Sequence, residues 1–286
     1  MNNHTIGFIG LGNMGKPIFE NISKKINHLY CFDQQNLDIN SSYEFTDTKR
    51  IFEICDVIIF CIKTNKEIFD ILKKYKIKNN TIFVDLTTSL PDITIQINSY
   101  LEKFNSFYID AGMSGGASGA FNATLSLMVG GNKSKFEEIY YILKTFASNI
   151  FYLGKSGNGH MMKLLHNSVC HSIFLLNCEI LNIAKNFDLN EKEVINVFNK
   201  SNARSYISEK RFPDNILSGK FNGKSTINNL KKDLNMISSI LEKTNLDMSY
   251  TKLSTNILNK IDDNYNDDDF TTIYKNWSKY NMFDIN

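Results

Sequence analysis

Two different hydrophobic patterns divide the chain. In the first half, short apolar runs alternate with segments of helical spacing. The apolar runs predict strands at Thr5–Gly10, His28–Asp33, Val57–Ile62, Thr81–Leu86 and Ser106–Asp110. Helical spacing lies between them at Gly15–Lys25, Lys66–Lys74 and Asp92–Lys103. Because several runs are apolar on both faces, we expect a parallel sheet covered by helices on both sides, which is a doubly wound α/β domain.

The second half shows no further strand pattern. Long amphipathic segments predict helices over Met161–Phe187, Glu191–Lys200, Thr226–Glu242, Tyr250–Ile261 and Thr271–Lys279. A glycine-rich stretch from Gly154 to Gly159 separates the two patterns. We therefore predict an α/β domain over residues 1–156 and an all-α domain over residues 157–286 of the 286-residue chain.

Composition argues against several classes of protein. The 32 basic and 30 acidic residues nearly cancel, so no net charge attracts nucleic acid or an anionic membrane. The most apolar helical segment is interrupted by Lys163, His166, His171 and Glu179, which disfavours a membrane span. The five cysteines contain no CxxC pair and Met1–His4 carries no export signal, so we expect a reduced, cytoplasmic protein. The acidic stretch at 262–269 lacks the pattern of a calcium loop, and no metal site is expected.

A glycine fingerprint follows the first predicted strand. Gly10, Gly12 and Gly15 form a GxGxxG pattern between a strand and a helix, with Asn13 and Met14 inside it. In such a turn the first glycine permits the bend, the second leaves room for a pyrophosphate, and the third allows close helix–strand packing. The pattern predicts a Rossmann-type dinucleotide-binding domain with these residues at the cofactor. The alternative is a tight strand–helix junction without a ligand.

An acidic residue ends the second predicted strand. Asp33 lies about 20 residues after the fingerprint, where a carboxylate binds both ribose hydroxyls of NAD and repels the 2′-phosphate of NADP. No arginine follows it, because the next residues are Gln34, Gln35 and Asn36. We therefore expect NAD as the cofactor, with NADP as the second possibility. The alternative is that Asp33 only caps a turn.

A second glycine cluster follows the last predicted strand. Ser114, Gly115 and Gly116 are expected at the carboxyl edge of the sheet, where open α/β sheets bind ligands. The serine hydroxyl and the two amides can hold a substrate carboxylate or hydroxyl. A glycine-rich turn without a ligand explains the spacing equally well.

A lysine interrupts the apolar face of the first helix of the second half. Asn167 follows Lys163 one turn later on the same face. The lysine either extends to solvent or pairs with a carboxylate, or it supplies the proton that accompanies hydride transfer. Its place directly after the Gly154–Gly159 stretch favours proton transfer. Lys232 and Asp233, on a later amphipathic helix, indicate only surface charge when taken alone.

Together these segments resemble the β-hydroxyacid dehydrogenase family, which includes 3-hydroxyisobutyrate dehydrogenase, tartronate semialdehyde reductase, and the succinic semialdehyde and glyoxylate reductases. The likeness extends over essentially the whole chain. It consists of an ordered series of motifs: Gly7–Gly15, Asp85–Pro91, Asp110–Gly119 continuing through Thr124–Gly131, Gly157–Asn167, Lys232-Asp233 and Asp269–Thr271.

The resemblance implies an NAD(P)-dependent oxidoreductase that transfers hydride between nicotinamide and a small β-hydroxy acid or its aldehyde acid. It implies Lys163 as the general acid and base. The other implied contacts are those to a small carboxylate substrate, from Ser114, Gly115, Gly116, Asn167 and Lys232, and those to the cofactor, from Thr88 and Asp233. Because the first long helix is more apolar than its own domain can cover, we also expect a homodimer or homotetramer.

Two positions depart from the family pattern. Gly112 stands where relatives have a proline before the serine, and His166 stands where many have asparagine. Both changes leave the identity of the substrate open. Two alternative functions also stay open. One is an imine or ketone reductase on the same scaffold, and the other is a non-catalytic nucleotide-binding protein, although the retention of Lys163 argues against the latter.

Overall fold

The computed structural model describes residues 4–35, 44–244 and 246–280. Residues 1–3 and Asn36, which enter the sequence interpretation, lie outside these ranges. The chain divides into two compact units between Lys163 and Leu164. A domain boundary at residue 156 stays a prediction, since the helix that begins at Asn158 runs across Lys163.

A mixed, mostly parallel sheet of eight strands forms the core of the first unit, in the order β3-β2-β1-β4-β5-β6-β7-β8. The strands are β1 Ile6–Ile9, β2 Leu29–Phe32, β3 Glu44–Phe45, β4 Val57–Phe60, β5 Ile82–Asp85, β6 Phe107–Ser114, β7 Leu125–Gly130 and β8 Ala147–Tyr152. The helices between them are α1 Gly15–Ser23, α2 Thr48–Ile54, α3 Asn65–Lys74, α4 Pro91–Glu102, α5 Gly116–Phe121 and α6 Lys133–Leu143. The predicted α/β class is confirmed.

Apolar residues on both faces of the central strands hold this sheet together. In β4, Val57 and Ile59 pack into one apolar cluster, whereas Ile58 and Phe60 pack into another. This alternation follows from the two-residue period of a strand. Full burial of one such side chain contributes about 1.5–3 kcal/mol, so a strand that is apolar on both faces is stable only where helices cover both sides.

The parallel strands bring polar residues to one edge of the sheet. Gly10 and Asp33 follow β1 and β2, and Asp85 and Asp110 lie directly opposite each other in the pairing of β5 with β6. The carboxyl ends of parallel strands share one edge, which is where ligands bind in open α/β sheets. The fold therefore places the candidate residues of the first unit along a common edge.

The end of the sheet differs from a purely parallel arrangement. β7 runs antiparallel to β6, and β8 runs parallel to β7. The segment that joins β6 to β7, residues 115–124, is shorter than the dozen or more residues that a parallel crossover needs. The chain therefore returns directly, and the strand pattern of the sequence did not include β7 or β8.

The second unit is helical, as predicted. Its helices are α7 Asn158–Lys185, of which the first turns belong to the first unit, α8 Glu191–Lys200, α9 Ile227–Leu241, α10 Ser249–Asn259 and α11 Thr272–Lys275. A π-helical segment at Ile207–Ile216 was not predicted, and the helix predicted over 271–279 is interrupted at Asn276. No helix within the described ranges has both the length and the apolar character to cross a membrane. The five cysteines are all free thiols.

Candidate functional site

The glycine fingerprint forms a turn between β1 and α1. Gly10 has a φ of 100°, and a Cβ at Gly15 would lie 1.9 Å from the carbonyl oxygen of Gly10. Both glycines are therefore required by the turn itself. Gly12 is exposed, and among the described residues no atom beyond its chain neighbours lies within 4 Å of a Cβ built there. Packing does not explain Gly12, whereas room for a bound group does.

The carboxylate of Asp33 binds the fingerprint turn. Its Oδ2 accepts a hydrogen bond of 2.6 Å from the N–H of Leu11, and its Oδ1 accepts one of 2.8 Å from the N–H of Gln35. Asp33 therefore does cap a turn, as the alternative interpretation held. Each carboxylate oxygen can accept a further hydrogen bond, so this role does not prevent contact with a ribose.

A buried carboxylate holds the segment that carries Thr88. Asp85, at the end of β5, is completely buried, and its Oδ1 accepts hydrogen bonds from the N–H and the hydroxyl of Thr87 at 2.8 and 2.6 Å. The hydroxyl of Ser89 in turn contacts that of Thr87. Tyr108 donates its hydroxyl to Oδ2 of Asp85 at 2.7 Å. Burial, together with the charge of Asp85, raises the pKa of Tyr108 well above its ordinary value, so the phenol remains the donor.

Ser114, Gly115 and Gly116 lie where β6 passes into α5. Ser114 is the last residue of the strand and pairs with Ser126 of β7. Gly115 and Gly116 have φ values of 126° and 61°, which favour glycine whether or not a ligand is bound. The two glycines are thus explained by the turn alone, and the substrate-binding role of this segment stays a prediction.

Lys163 packs directly on strand β6. A Cβ at Gly112 would lie 2.6 Å from the Cβ of Lys163 and 3.1 Å from its Cγ. Lys163 itself is only 9% exposed. Glycine at this position therefore has a packing reason, since it allows the aliphatic stem of the lysine to lie against the strand. The departure at Gly112 and the candidate proton donor form one local arrangement.

The start of α7 is fixed to the sheet by Asp110. The completely buried carboxylate accepts hydrogen bonds from the N–H groups of Gly157 and His160, at 2.9 and 3.0 Å. These amides belong to the first turn of a helix and have no partner within it. A Cβ at Gly159 would lie 2.4 Å from the carbonyl oxygen of Met128, so the turn is in close contact with the sheet.

In the second unit, Asn167 is held by two neighbours. Its Nδ2 donates a hydrogen bond of 2.6 Å to Oδ2 of Asp233. Its Oδ1 lies 3.0 Å from Nδ1 of His166, which is the second departure from the family pattern. The Asn167 amide is buried, and its orientation is set by a carboxylate on one side and an imidazole on the other.

Asp233 is the centre of this second cluster. Nε2 of His171 lies 3.6 Å from Oδ2, and Nζ of Lys232 lies 4.0 Å from Oδ1. Within the part of the chain that the structure describes, the buried Oδ1 has no hydrogen-bond partner. The adjacent Lys231 has a different role, because its buried Nζ binds the carbonyl oxygen of Ile261 and the carboxylate of Asp263.

Several of these residues were not found from the sequence. Asp85 and Asp110 were noticed only as parts of longer motifs, and His160 was not singled out. The available signal was an aspartate at the end of each of two apolar strands. Such a residue is buried at the ligand-binding edge and needs hydrogen-bond donors around it.

Comparison with known families covers both units. Residues 5–154 match the family model of the NAD binding domain of 6-phosphogluconate dehydrogenase. Residues 157–277 match that of the NAD-binding domain of NADP-dependent 3-hydroxyisobutyrate dehydrogenase. The chain belongs to the β-hydroxyacid dehydrogenase family. The predicted family is confirmed, and the chain is an NAD(P)-dependent dehydrogenase that acts on CH–OH groups.

Individual relatives are similar to this chain over most of its length. The chain is 28% identical over 269 residues to 2-(hydroxymethyl)glutarate dehydrogenase of Eubacterium barkeri, covering 88% of this chain and 87% of the relative. It is 25% identical over 264 residues to the cytokine-like nuclear factor N-PAC of Drosophila melanogaster, covering 88% of this chain but only 44% of the relative. The fold is similar to that of Mycobacterium tuberculosis 3-hydroxyisobutyrate dehydrogenase, with a TM-score of 0.87, 21% identity, and coverage of 96% and 99% of the two chains.

Proposed function

We propose that this dehydrogenase transfers hydride between nicotinamide and a short hydroxy acid or its aldehyde acid, with Lys163 as the general acid and base. The contact of Lys163 with Gly112 carries the proposal. It places a buried lysine stem on β6, two residues before Ser114 and beside the ligand-binding edge of the sheet. A lysine that only extends to solvent would leave more of its side chain exposed than the 9% found for Lys163.

Two observations support a bound dinucleotide. The open space at Gly12 is the place where the backbone of such a turn approaches a pyrophosphate. The buried Oδ1 of Asp233 has no hydrogen-bond partner among the described residues, and a cofactor hydroxyl or amide would satisfy it. We therefore assign Gly10, Gly12, Asn13, Met14, Gly15, Asp33, Thr88 and Asp233 to the cofactor.

The chemistry requires one proton for each hydride. When bound, the nicotinamide ring donates or accepts the hydride. In reduction, the Lys163 ammonium donates a hydrogen bond to the substrate carbonyl oxygen and then transfers a proton from Nζ to that oxygen. In oxidation, the neutral Nζ takes the proton of the substrate hydroxyl. A positioned group of this kind contributes about 10²- to 10⁴-fold to the rate.

We assign the binding of the substrate to groups that can hold its carboxylate. Ser114 and the amides of Gly115 and Gly116 offer hydrogen-bond donors, and Lys232 offers a charge. Asn167 lies one turn after Lys163 on α7 and is held in a single orientation. A side-chain amide has two N–H donors and two acceptor lone pairs, so Asn167 can orient a substrate group in addition to its contacts with Asp233 and His166.

NAD is the proposed cofactor, because Asp33 follows β2 and the next two residues, Gln34 and Gln35, are glutamines and not arginines. The carboxylate favours the two free ribose hydroxyls of NAD over the phosphate of NADP.

A substrate panel tests the proposal. Purified protein is assayed for oxidation of NADH and NADPH with glyoxylate and with the tartronate, succinic and methylmalonate semialdehydes. The reverse reaction is assayed with 3-hydroxyisobutyrate and 2-(hydroxymethyl)glutarate, and a cyclic imine is included. Turnover of one acid with NADH preferred is the expected result. Turnover of the imine alone would contradict the proposal and indicate an imine reductase. NADH binding without turnover of any substrate would indicate a non-catalytic protein.

We also propose that the chain forms a homodimer or homotetramer through its second unit. An exposed apolar stripe follows one face of α7, formed by Leu165, Val169, Leu176, Ile180 and Ile183. Val169 and Leu176 are 59% and 54% exposed, and a contiguous patch of this kind is uncommon on a monomer. Light scattering at micromolar concentration is expected to give at least a dimer, and Leu176→Glu is expected to shift it to a monomer. A monomeric wild-type protein would contradict the proposal.

A further inference from the structure

The imidazole of His160 connects the two ends of the segment that carries Thr88. The ring is completely buried. Its Nδ1 lies 2.7 Å from Oγ1 of Thr94, in the first turns of α4, and its Nε2 lies 3.6 Å from Oδ2 of Asp85, at the end of β5. The first contact is a hydrogen bond, and the second places the ring next to the carboxylate beyond hydrogen-bond distance. The residue therefore joins the beginning and the end of the 85–94 segment.

The backbone of His160 makes a third connection. Its N–H donates to Oδ2 of Asp110 at 3.0 Å, next to the bond that Gly157 makes with Oδ1 of the same carboxylate. A negative charge at a helix N-terminus is also favourable for the helix dipole. One residue thus links the first turn of α7 to β5, to β6 and to α4.

Packing leaves little freedom around these contacts. A Cβ at Gly157 would lie 3.4 Å from both Cβ and the carbonyl oxygen of Pro91, so the start of α7 lies against the start of α4. Lys163 follows His160 by three residues on the same helix, which is about one turn. A displacement of the first turn would therefore move Lys163 relative to Thr88.

We propose that His160 is a positioning residue. It fixes the position of Lys163 relative to the 85–94 segment, which carries Thr88. The role rests on the proposed function, since it presumes that Lys163 transfers the proton and that Thr88 lies at the cofactor. His160 is completely buried, so in this role it acts through its protein neighbours. Its buried polar ring is retained because it supplies contacts that an apolar side chain would remove from Thr94 and from the buried charge of Asp85.

Three substitutions of His160 separate its contacts. His160→Asn places an amide near the position of Nδ1 and preserves the contact with Thr94, whereas His160→Gln places it near Nε2 and preserves the contact with Asp85. His160→Leu preserves neither. We expect kcat to fall about 10- to 100-fold in His160→Leu, and less in the two amide variants, while the KM for NADH stays within about twofold of wild type. Partial rescue by the amides and a selective effect on kcat distinguish positioning from a general loss of structure.

Tyr108→Phe is the matched control. It removes a hydrogen bond to the same buried carboxylate, but from strand β6 rather than from α7. Its kcat is expected to stay within about threefold of wild type, although the protein becomes less stable. Thr94→Val replaces His160→Leu if the latter does not fold, because it removes the partner of Nδ1 and leaves the imidazole in place. It is then expected to lower kcat selectively.

Amide hydrogen exchange tests the connection without any substrate. Exchange in residues 157–163 is expected to be faster in His160→Leu and Thr94→Val than in wild type, and unchanged in Tyr108→Phe. If wild type turns over no substrate, the proposed function fails, and the exchange rates still decide whether His160 holds this turn. The proposal is overturned if the amides of residues 157–163 in His160→Leu or Thr94→Val exchange at the wild-type rate. It is also overturned if either variant folds and keeps a kcat within threefold of wild type. It is also overturned if Tyr108→Phe loses kcat equally.

Discussion

Gly112 and Lys163 lie in direct contact, so that a single added Cβ at Gly112 would come within 2.6 Å of the Cβ of Lys163. This relationship gives Gly112 a packing reason in this chain, because a side chain there would meet the stem of Lys163. It also gives the candidate proton donor a fixed neighbour on β6. Changes on either side of the contact should therefore affect the same property, which is the position of the lysine.

Gly112→Ala should lower activity more than it lowers cofactor binding. The added methyl group must displace the stem of Lys163, at a cost of about 1–3 kcal/mol for overpacking. We expect kcat to fall about 10- to 100-fold, because small displacements of a reacting group have effects of that size. Steady-state kinetics and NADH titration by fluorescence would measure the two properties. Equal kcat values for the variant and wild type would show that the contact has no bearing on catalysis.

Gly12→Ala should weaken cofactor binding without destabilising the fold. Space is available at this position in the free protein, so we expect the free energy of unfolding to change by no more than about 0.5 kcal/mol. NADH affinity should fall about tenfold or more, which corresponds to about 1.4 kcal/mol. Gly15→Ala serves as the contrast, since its Cβ would collide with the carbonyl oxygen of Gly10 and should destabilise the protein. Unchanged NADH affinity in Gly12→Ala would argue against a pyrophosphate at this turn.

Asp33→Asn should shift the cofactor preference towards NADPH. The substitution removes the charge that repels the 2′-phosphate but keeps an acceptor for the N–H of Leu11. A hydrogen bond to a charged group contributes about 1.5–3 kcal/mol, so the ratio of kcat/KM for NADPH over NADH should rise at least about tenfold. An unchanged ratio would mean that Asp33 serves the turn and not the ribose.

Glu138 should make the protein less stable in acid. Its pKa is lowered chiefly by the hydrogen bond from Lys135 at 2.8 Å, and further by the hydrogen bond with His4 at 2.9 Å. A carboxylate whose pKa falls on folding stabilises the protein fully above its ordinary value of 4.5, and this contribution is lost as the pH falls through the lowered pKa. Glu138→Gln should therefore reduce the free energy of unfolding at pH 7 and flatten its decline between about pH 5 and 3. The exposed Glu137→Gln is the control, and identical pH profiles for the two variants would refute the role of Glu138.

The sequence predicted those parts of the fold that depend on local pattern. Strands β1, β2, β4, β5 and β6 were predicted because a run of apolar residues between turn signals is visible without any partner. Strand β8 was missed because Ser148 and Asn149 are adjacent exposed polar residues, so the segment shows neither an apolar run nor a regular alternation. Strand β7 was not among the predicted strands, and its antiparallel course depends on the connection from β6 and not on the strand itself.

The same limit applies to the candidate site. The Gly10–Gly15 fingerprint and Lys163 were visible because each contrasts with its immediate neighbours in the chain. His160 was not, since its partners Thr94 and Asp85 lie far away in sequence and only the packing of α7 on the sheet brings them together. The structural reason for Gly112 was also hidden, because the residue it accommodates lies on another element.

The most direct test of Lys163 as the proton donor compares Lys163→Met with wild type at saturating NADH and the best substrate of the panel. Methionine keeps most of the apolar stem against Gly112 and removes the proton donor, and Lys155→Met, at an exposed position just before α7, is the control. We expect Lys163→Met to bind NADH like wild type and to lose about 10²- to 10⁴-fold in kcat, and Lys155→Met to be unchanged. A kcat for Lys163→Met within about threefold of wild type would contradict the assignment of Lys163 as the proton-transfer residue.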